Sequence, residues 1–244
     1  MTLPPFRTAA LLLDLDGTLL DIAPTPDAVV VPPGLIATLR GLGALLDGAV
    51  AIVTGRTLDV VDALLGDAAG TIAGEHGGAI RPGLDAPVER PLAPAPPPEW
   101  IDAARALVAT HPGSLFEQKP RGFGVHFRQA PDAGPAIHAA LSALIATDPA
   151  FELMPSHMLW EVRPRGVDKG QAVTSLMRRP PFLGRAPVFI GDDVTDEDGM
   201  RVARAMGGSG LRVRDFFGDA AGVRAWLSET ATRGDWVGEW GTTR

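Results

Sequence analysis

Short apolar runs recur along the chain at residues 9–13, 49–53, 71–74, 187–190 and 211–213. Between them lie amphipathic stretches with helical spacing, at residues 33–46, 57–65, 170–178, 195–206 and 220–229. Apolar runs of four or five residues suit strands buried on both faces. Their alternation with helices predicts a parallel sheet covered by helices, a Rossmann-like α/β core. The middle of the chain reads differently. Residues 82–98 are rich in proline, which marks a linker. Beyond it the pattern predicts a helix at 98–110, strands at 114–119 and 122–128, a helix at 131–147 and strands at 151–154 and 158–163. A helix-strand-strand unit occurring twice predicts a small α+β domain, an antiparallel sheet with helices on one face. The expected organisation is a core formed by residues 1–85 and 166–244, with residues 86–165 inserted. The tail, with Trp236 and Trp240, is expected to pack on the core.

Strand alternation assigns faces in the insert. Phe123, Val125 and Phe127 should share one face and His126 and Arg128 the other. Glu117 and Lys119 lie opposite Phe116, and Glu161 and Arg163 opposite Trp160 and Val162. One sheet face should therefore collect Glu117, Lys119, His126, Arg128 and Glu161. A polar, merely solvated face is the ordinary alternative for an antiparallel sheet.

Composition narrows the function. The 244 residues are 45% hydrophobic, enough for one large domain or for a core with a smaller insert. A net charge of -7 gives no support to nucleic-acid binding and favours a protein that handles small molecules. With no cysteine, any metal must sit on oxygen or imidazole, and disulfides and thiol nucleophiles are excluded. The apolar run before Asp14 is too short for a signal segment, and residues 35–53 are interrupted by Arg40, Asp47 and glycines, so no membrane association and a cytoplasmic location are the default expectations.

Four segments carry candidate chemistry. Asp14-Leu15-Asp16-Gly17-Thr18 follows the first strand, where open α/β sheets place ligands; its two carboxylates suit a nucleophile and a proton donor around one cation, although alone the motif could be an Asx turn. Thr54-Gly55-Arg56 follows the second strand and offers a hydroxyl and open backbone N–H groups to a phosphoryl group; read alone, Thr54 is as readily a helix cap. Lys169 begins a helix, where a positive charge opposes the macrodipole, unless it is a solvated surface lysine. Finally, Gly191-Asp192-Asp193-Val194-Thr195-Asp196-Glu197-Asp198 packs five acids into eight positions after an apolar strand, a density that suits a hard cation such as Mg²⁺. Acids at a helix start account for Glu197 and Asp198 but not for the Asp192–Asp193 pair.

In this order the motifs resemble those of the haloacid dehalogenase superfamily. The resemblance implies that Asp14 attacks phosphorus and that Asp16 protonates the leaving hydroxyl and then activates water. Thr54 and Lys169 would hold the phosphoryl group, with Gly55 and Arg56 also on the substrate. Mg²⁺ would be bound by Asp14, the Asp16 carbonyl and Asp192, with Asp193 and Asp196 in support. The insert's position resembles the larger, C2-type cap, which is expected to close over the site about its two connections. Glu75-His76-Gly77, Glu117-x-Lys119, His126-x-Arg128 and Glu161-x-Arg163-Pro164 together resemble the trehalose-6-phosphate phosphatase family. That resemblance implies sugar contacts from Glu117, Lys119, Arg128 and Glu161, and the last step of trehalose biosynthesis. Phe127, where that family often has tyrosine, and the Pro120-Arg121 pair depart from it. A lone histidine beside two glycines, His76 is as easily a packing residue. Rival readings are a phosphatase of another phosphosugar of the sucrose-phosphate or mannosyl-phosphoglycerate type, a sugar phosphomutase, and a non-catalytic binding protein.

Overall fold

Every residue of β1 (Ala9–Leu13), β2 (Val50–Val53) and β3 (Thr71–Gly74) is buried, as strands covered on both faces should be. The structure is a computed structural model that describes residues 3–25, 28–90, 94–119 and 121–238; linker residues 91–93, Pro120 and Trp240 lie outside the described residues. The chain divides into two compact units, Met1–Arg90 with Asp168–Arg244, and Pro91–Val167.

The first unit is built on a six-stranded sheet in the order β10-β9-β1-β2-β3-β4, with β9 spanning Ala186–Gly191 and β10 Ser209–Arg212. All neighbours are parallel except β4 (Ala79–Arg81), which returns antiparallel beside β3. At three residues β4 is too short to register as a periodic pattern, and it was not expected from the sequence. The helices are α1 (Leu35–Leu45), α2 (Leu58–Leu65), α5 (Lys169–Leu176), α6 (Asp196–Ala205), the short α7 (Val213–Phe216) and α8 (Ala220–Arg233). α1 begins two residues later than expected because Gly34 takes a left-handed φ of 84°. α8 runs four residues past its expected end and stops where Gly234 turns left-handed. As expected, Trp236 of the tail packs on the core: it stacks on Trp226 with centroids 5.3 Å apart, meets Phe6 edge-on at 4.8 Å, and donates its indole N–H to the Pro4 carbonyl.

The second unit contains α3 (Pro98–Ala109), β5 (Leu115–Lys119), β6 (Gly122–His126), α4 (Gly134–Ile145), β7 (Phe151–Ser156) and β8 (Leu159–Pro164). Its sheet is wholly antiparallel, in the order β5-β6-β8-β7. Phe123, Val125 and Val162 share a core with Trp100, Ala104, Ile137 and Leu141 of the two helices, so the expected apolar face is the one the helices cover. β6 ends at His126. The amide of Phe127 still donates to Met158, but the chain then turns, with the Ala130 amide donating back to the Phe127 carbonyl. Arg128 therefore lies in a turn, where strand alternation no longer dictates its direction. Among the described residues no helix is long and apolar enough to cross a membrane.

Candidate active site

Asp14, Thr54 and Asp192 each follow a parallel strand, so all three stand at the same edge of the sheet. The chain progresses from β1 through β2 to β3 on one side and to β9 and β10 on the other. That reversal opens a crevice beside β1, where doubly wound sheets bind ligands. The Asp14 amide donates to the Ile190 carbonyl at 2.9 Å, which ties the first segment to the fourth.

At the centre is a buried charge cluster. The ammonium of Lys169 donates to Oδ1 of Asp14 at 2.6 Å and to Oδ1 of Asp196 at 2.5 Å. Lys169 is only 3% exposed and Asp196 is fully buried. The helix-start lysine is thus offset by two carboxylates, which removes the electrostatic oddity and excludes a solvated surface role. The other oxygen of Asp196 accepts the amides of Asp192 and Asp193, at 3.1 and 3.0 Å. Asp196 therefore fixes Lys169 and the acidic loop, with both oxygens engaged. Asp193 also closes a local turn, its carboxylate accepting the Val194 amide. Thr18 bridges the remaining acids, its hydroxyl lying 3.3 Å from both Asp14 and Asp192. Gly17 is required there: its φ is 78°, and a Cβ would overlap the Asp192 carboxylate.

Burial pushes the Asp14 carboxyl well above its usual range, and the nearby Asp196 charge adds to this against the attraction of Lys169. Asp192 is raised to about 6, by burial first and then by Asp196 and Asp193. Burial alone would lower the Lys169 pKa, but Asp14 and Asp196 outweigh it and raise it. Oxygens of Asp14, Asp192 and Asp196 lie within 4.8 Å of one another. Crowded, partly desolvated carboxylates with an excess of negative charge form a hard-oxygen cluster that can hold a divalent cation.

Thr54 is buried beside this cluster's strand edge and is not a helix cap: α2 begins at Leu58, and the Thr54 hydroxyl accepts the Arg56 amide at 3.2 Å in its own turn. Arg56 grips both carboxylate oxygens of Asp16, at 2.6 and 2.7 Å. Its guanidinium fork thus joins the second segment to the first, an arrangement well suited to its planar geometry. Gly55 lies against the His76 ring.

The second unit carries its own polar cluster. Lys119 donates to Glu161 at 2.6 Å, and both are nearly buried. His126 meets Glu117 at 2.7 Å. Four of the five residues assigned to one face are therefore paired there, Lys119 with Glu161 as an ion pair and His126 with Glu117 through a hydrogen bond, rather than separately solvated. Burial works against the charged form of Lys119, but Glu161 and Glu117 raise its pKa; likewise His126 and Lys119 hold Glu117 low against the effect of burial. Gly124 sits between Glu117 and Glu161 in the strand register, which leaves a side-chain-free floor between the two acids. On the same face Arg163 turns to Glu152 of the edge strand, at 2.9 Å.

Three partners escaped the sequence reading: Thr18 as the bridge between two acids, the Asp16–Arg56 pair, and the Glu75–Arg90 ion pair at 2.8 Å. Thr18 could have been found, since it is the last residue of the first motif. Nothing local signals either of the other two.

A family model described as Trehalose-phosphatase matches residues 12–223. A probable trehalose-phosphate phosphatase of Sinorhizobium fredii is 42% identical over 205 residues, 84% of this chain and 77% of that protein. The trehalose-6-phosphate phosphatase of Escherichia coli is 37% identical over 202 residues, covering 82% and 75%. Among solved structures, the C-terminal domain of a Candida albicans trehalose-6-phosphate phosphatase superposes with a TM-score of 0.77 at 22% identity, over 93% of each chain.

Proposed function

We propose that this chain, which belongs to the trehalose-phosphatase family, hydrolyses trehalose 6-phosphate to trehalose and phosphate through a phosphoaspartate on Asp14. The observation that carries the reading is the buried Asp14 carboxylate held by Lys169 at a sheet edge that also presents Asp192 and Thr54. A carboxylate fixed in this way is oriented before substrate arrives, and phosphoryl transfer depends mainly on positioning and charge.

In the first step an Asp14 oxygen forms a bond to phosphorus as the bond to the sugar 6-oxygen breaks. Asp16 supplies the proton that makes the leaving oxygen a hydroxyl. In the second step Asp16 takes a proton from water, whose oxygen displaces Asp14 from phosphorus. Because Arg56 grips both oxygens of Asp16, that grip must loosen for the proton to be handed over. Lys169 and the Thr54 hydroxyl hold the phosphoryl oxygens. Asp14, Asp192 and the Asp16 carbonyl would hold Mg²⁺, which when bound supplies the positive charge that lets a carboxylate approach a phosphate dianion. On the second unit, Glu117, Lys119, Glu161 and Arg128 recognise sugar hydroxyls, which both donate and accept and so match a face of paired acids and bases.

Phosphate release from a panel tests the substrate: trehalose 6-phosphate should be preferred over glucose 6-phosphate and sucrose 6-phosphate, and equal rates for all three would sink the assignment. Release of free phosphate, rather than its return to another sugar carbon, separates hydrolysis from mutase chemistry. The cation is tested without turnover. At about 100 times its Kd, Mg²⁺ should stabilise chelator-treated protein by about 2.7 kcal/mol, seen as a higher melting temperature. Asp192→Asn should lose most of that response; an unchanged response would remove Asp192 from the ligand set.

A further inference from the structure

Between β3 and β4 three consecutive residues, Glu75, His76 and Gly77, have positive φ, at 55°, 55° and 101°. The first two are buried L-residues in a conformation that glycine usually supplies. Such backbone persists only where its surroundings over-determine it, and here they do so from three sides. The amides of Glu75 and His76 donate to the carbonyls of Arg56 and Thr54, each at 2.9 Å, and the His76 ring fills the place of a side chain on Gly55: a Cβ there would lie 2.5 Å from Nε2. Gly77 backs onto the residue before Lys169, where a Cβ would stand 2.9 Å from the Asp168 carbonyl. The Glu75 carboxylate accepts Arg90 at 2.8 and 2.9 Å, and the neighbouring Glu89 exchanges two backbone bonds with Ile80, each 2.8 Å.

We propose that His76 is a positioning residue: anchored through Glu75 by Arg90, its turn sets the spacing between the two phosphoryl grips, the Thr54 loop and the start of α5 that carries Lys169. The proposal rests on the phosphatase reading above and adds to it a part for a histidine that touches the loop's backbone rather than the sugar. Misplacement of a reacting group by about 1 Å costs about 100-fold, so a loosened grip should be visible in rate before it is visible in folding.

The test is a double-mutant cycle read with two substrates, trehalose 6-phosphate and p-nitrophenyl phosphate, both with Mg²⁺. His76→Ala should lower kcat/KM by about 10–100-fold and by the same factor for both esters, since only the phosphoryl part is shared. A loss confined to trehalose 6-phosphate would mean a sugar contact and overturn the proposal. Gly55→Ala alone should lower kcat/KM by about 10-fold or more, because its methyl meets the imidazole; in the His76→Ala background the same change should cost almost nothing. Strictly additive losses would overturn it. Should His76→Ala not fold, Arg90→Ala carries the same signature in a more exposed position, and unchanged kcat/KM there for both esters would count against the anchor. If the wild-type protein releases phosphate from neither ester, the phosphatase reading fails and takes this proposal with it; if it turns over and the cycle is additive, only the positioning role is lost.

Discussion

Replacing Asp14 by asparagine should abolish turnover, by about 10⁴-fold or more, while leaving the protein folded and at least as stable as the wild type. The chemical half follows from the role proposed for Asp14: an amide has no carboxylate oxygen to bond phosphorus, and no other acid shares its place directly after β1. The stability half follows from charge. Three acids, Asp14, Asp192 and Asp196, crowd one ammonium, and burial together with Asp196 holds the Asp14 carboxyl far above its usual range. An acid whose charged form is disfavoured by folding destabilises the folded state at neutral pH, so a neutral isostere removes that cost. Lys169 keeps Asp196 as a full partner at 2.5 Å, so it is not left unpaired. Melting in the presence of a chelator, alongside single-turnover assays with acid quenching to trap phosphoenzyme, checks both halves. Residual turnover with a trapped acyl phosphate in the variant would refute Asp14 as the nucleophile. A large fall in melting temperature would show that its pair with Lys169 outweighs the repulsion.

Lys169→Met should be the opposite case, losing activity and stability together. Removing one member of a buried ion pair leaves uncompensated charge, at about 3–5 kcal/mol. Here two carboxylates lose their common donor, in a place where Lys169 is 3% exposed and water can replace it poorly. For a chain of this size that corresponds to a fall of roughly 6–20 °C in melting temperature, read by calorimetry without metal. Adding Asp14→Asn to Lys169→Met should restore part of the loss, because one of the stranded carboxylates is then neutral. A loss below about 1 kcal/mol in the single variant would mean that Asp14 and Asp196 do not depend on Lys169 for charge balance.

The parts of the fold that could be read from the sequence are those where local pattern and burial coincide. β1 and β3 have their expected bounds because a short apolar run between polar ends leaves a buried strand little freedom of register. The two sheets, parallel in one unit apart from β4 and antiparallel in the other, follow from the order of elements alone. Errors gathered at ends, where one backbone conformation overrides periodicity: Gly34 delays α1, α8 continues until Gly234 turns left-handed, and the turn after His126 takes Arg128 out of β6. β4 forms because the left-handed Glu75–Gly77 turn sends the chain back along β3, and three residues carry no period of their own.

For the candidate site the division is similar. Motifs lying directly after apolar runs were enough to bring Asp14, Thr54 and Asp192 to one sheet edge, since parallel strands end on the same side, and enough to bring Glu117, Lys119, His126 and Glu161 to one face, since strand side chains alternate. Which of these groups hold one another was decided only by the tertiary structure. That Lys169 sits between Asp14 and Asp196, that Arg56 grips Asp16 across 40 positions, and that Glu75 takes Arg90 depend on side chains meeting across elements. Pattern sets the direction in which a residue leaves its own element, whereas partner and distance come from how separate elements pack. The position of Asp14 was therefore legible in the sequence, and the balance of charge around it was not.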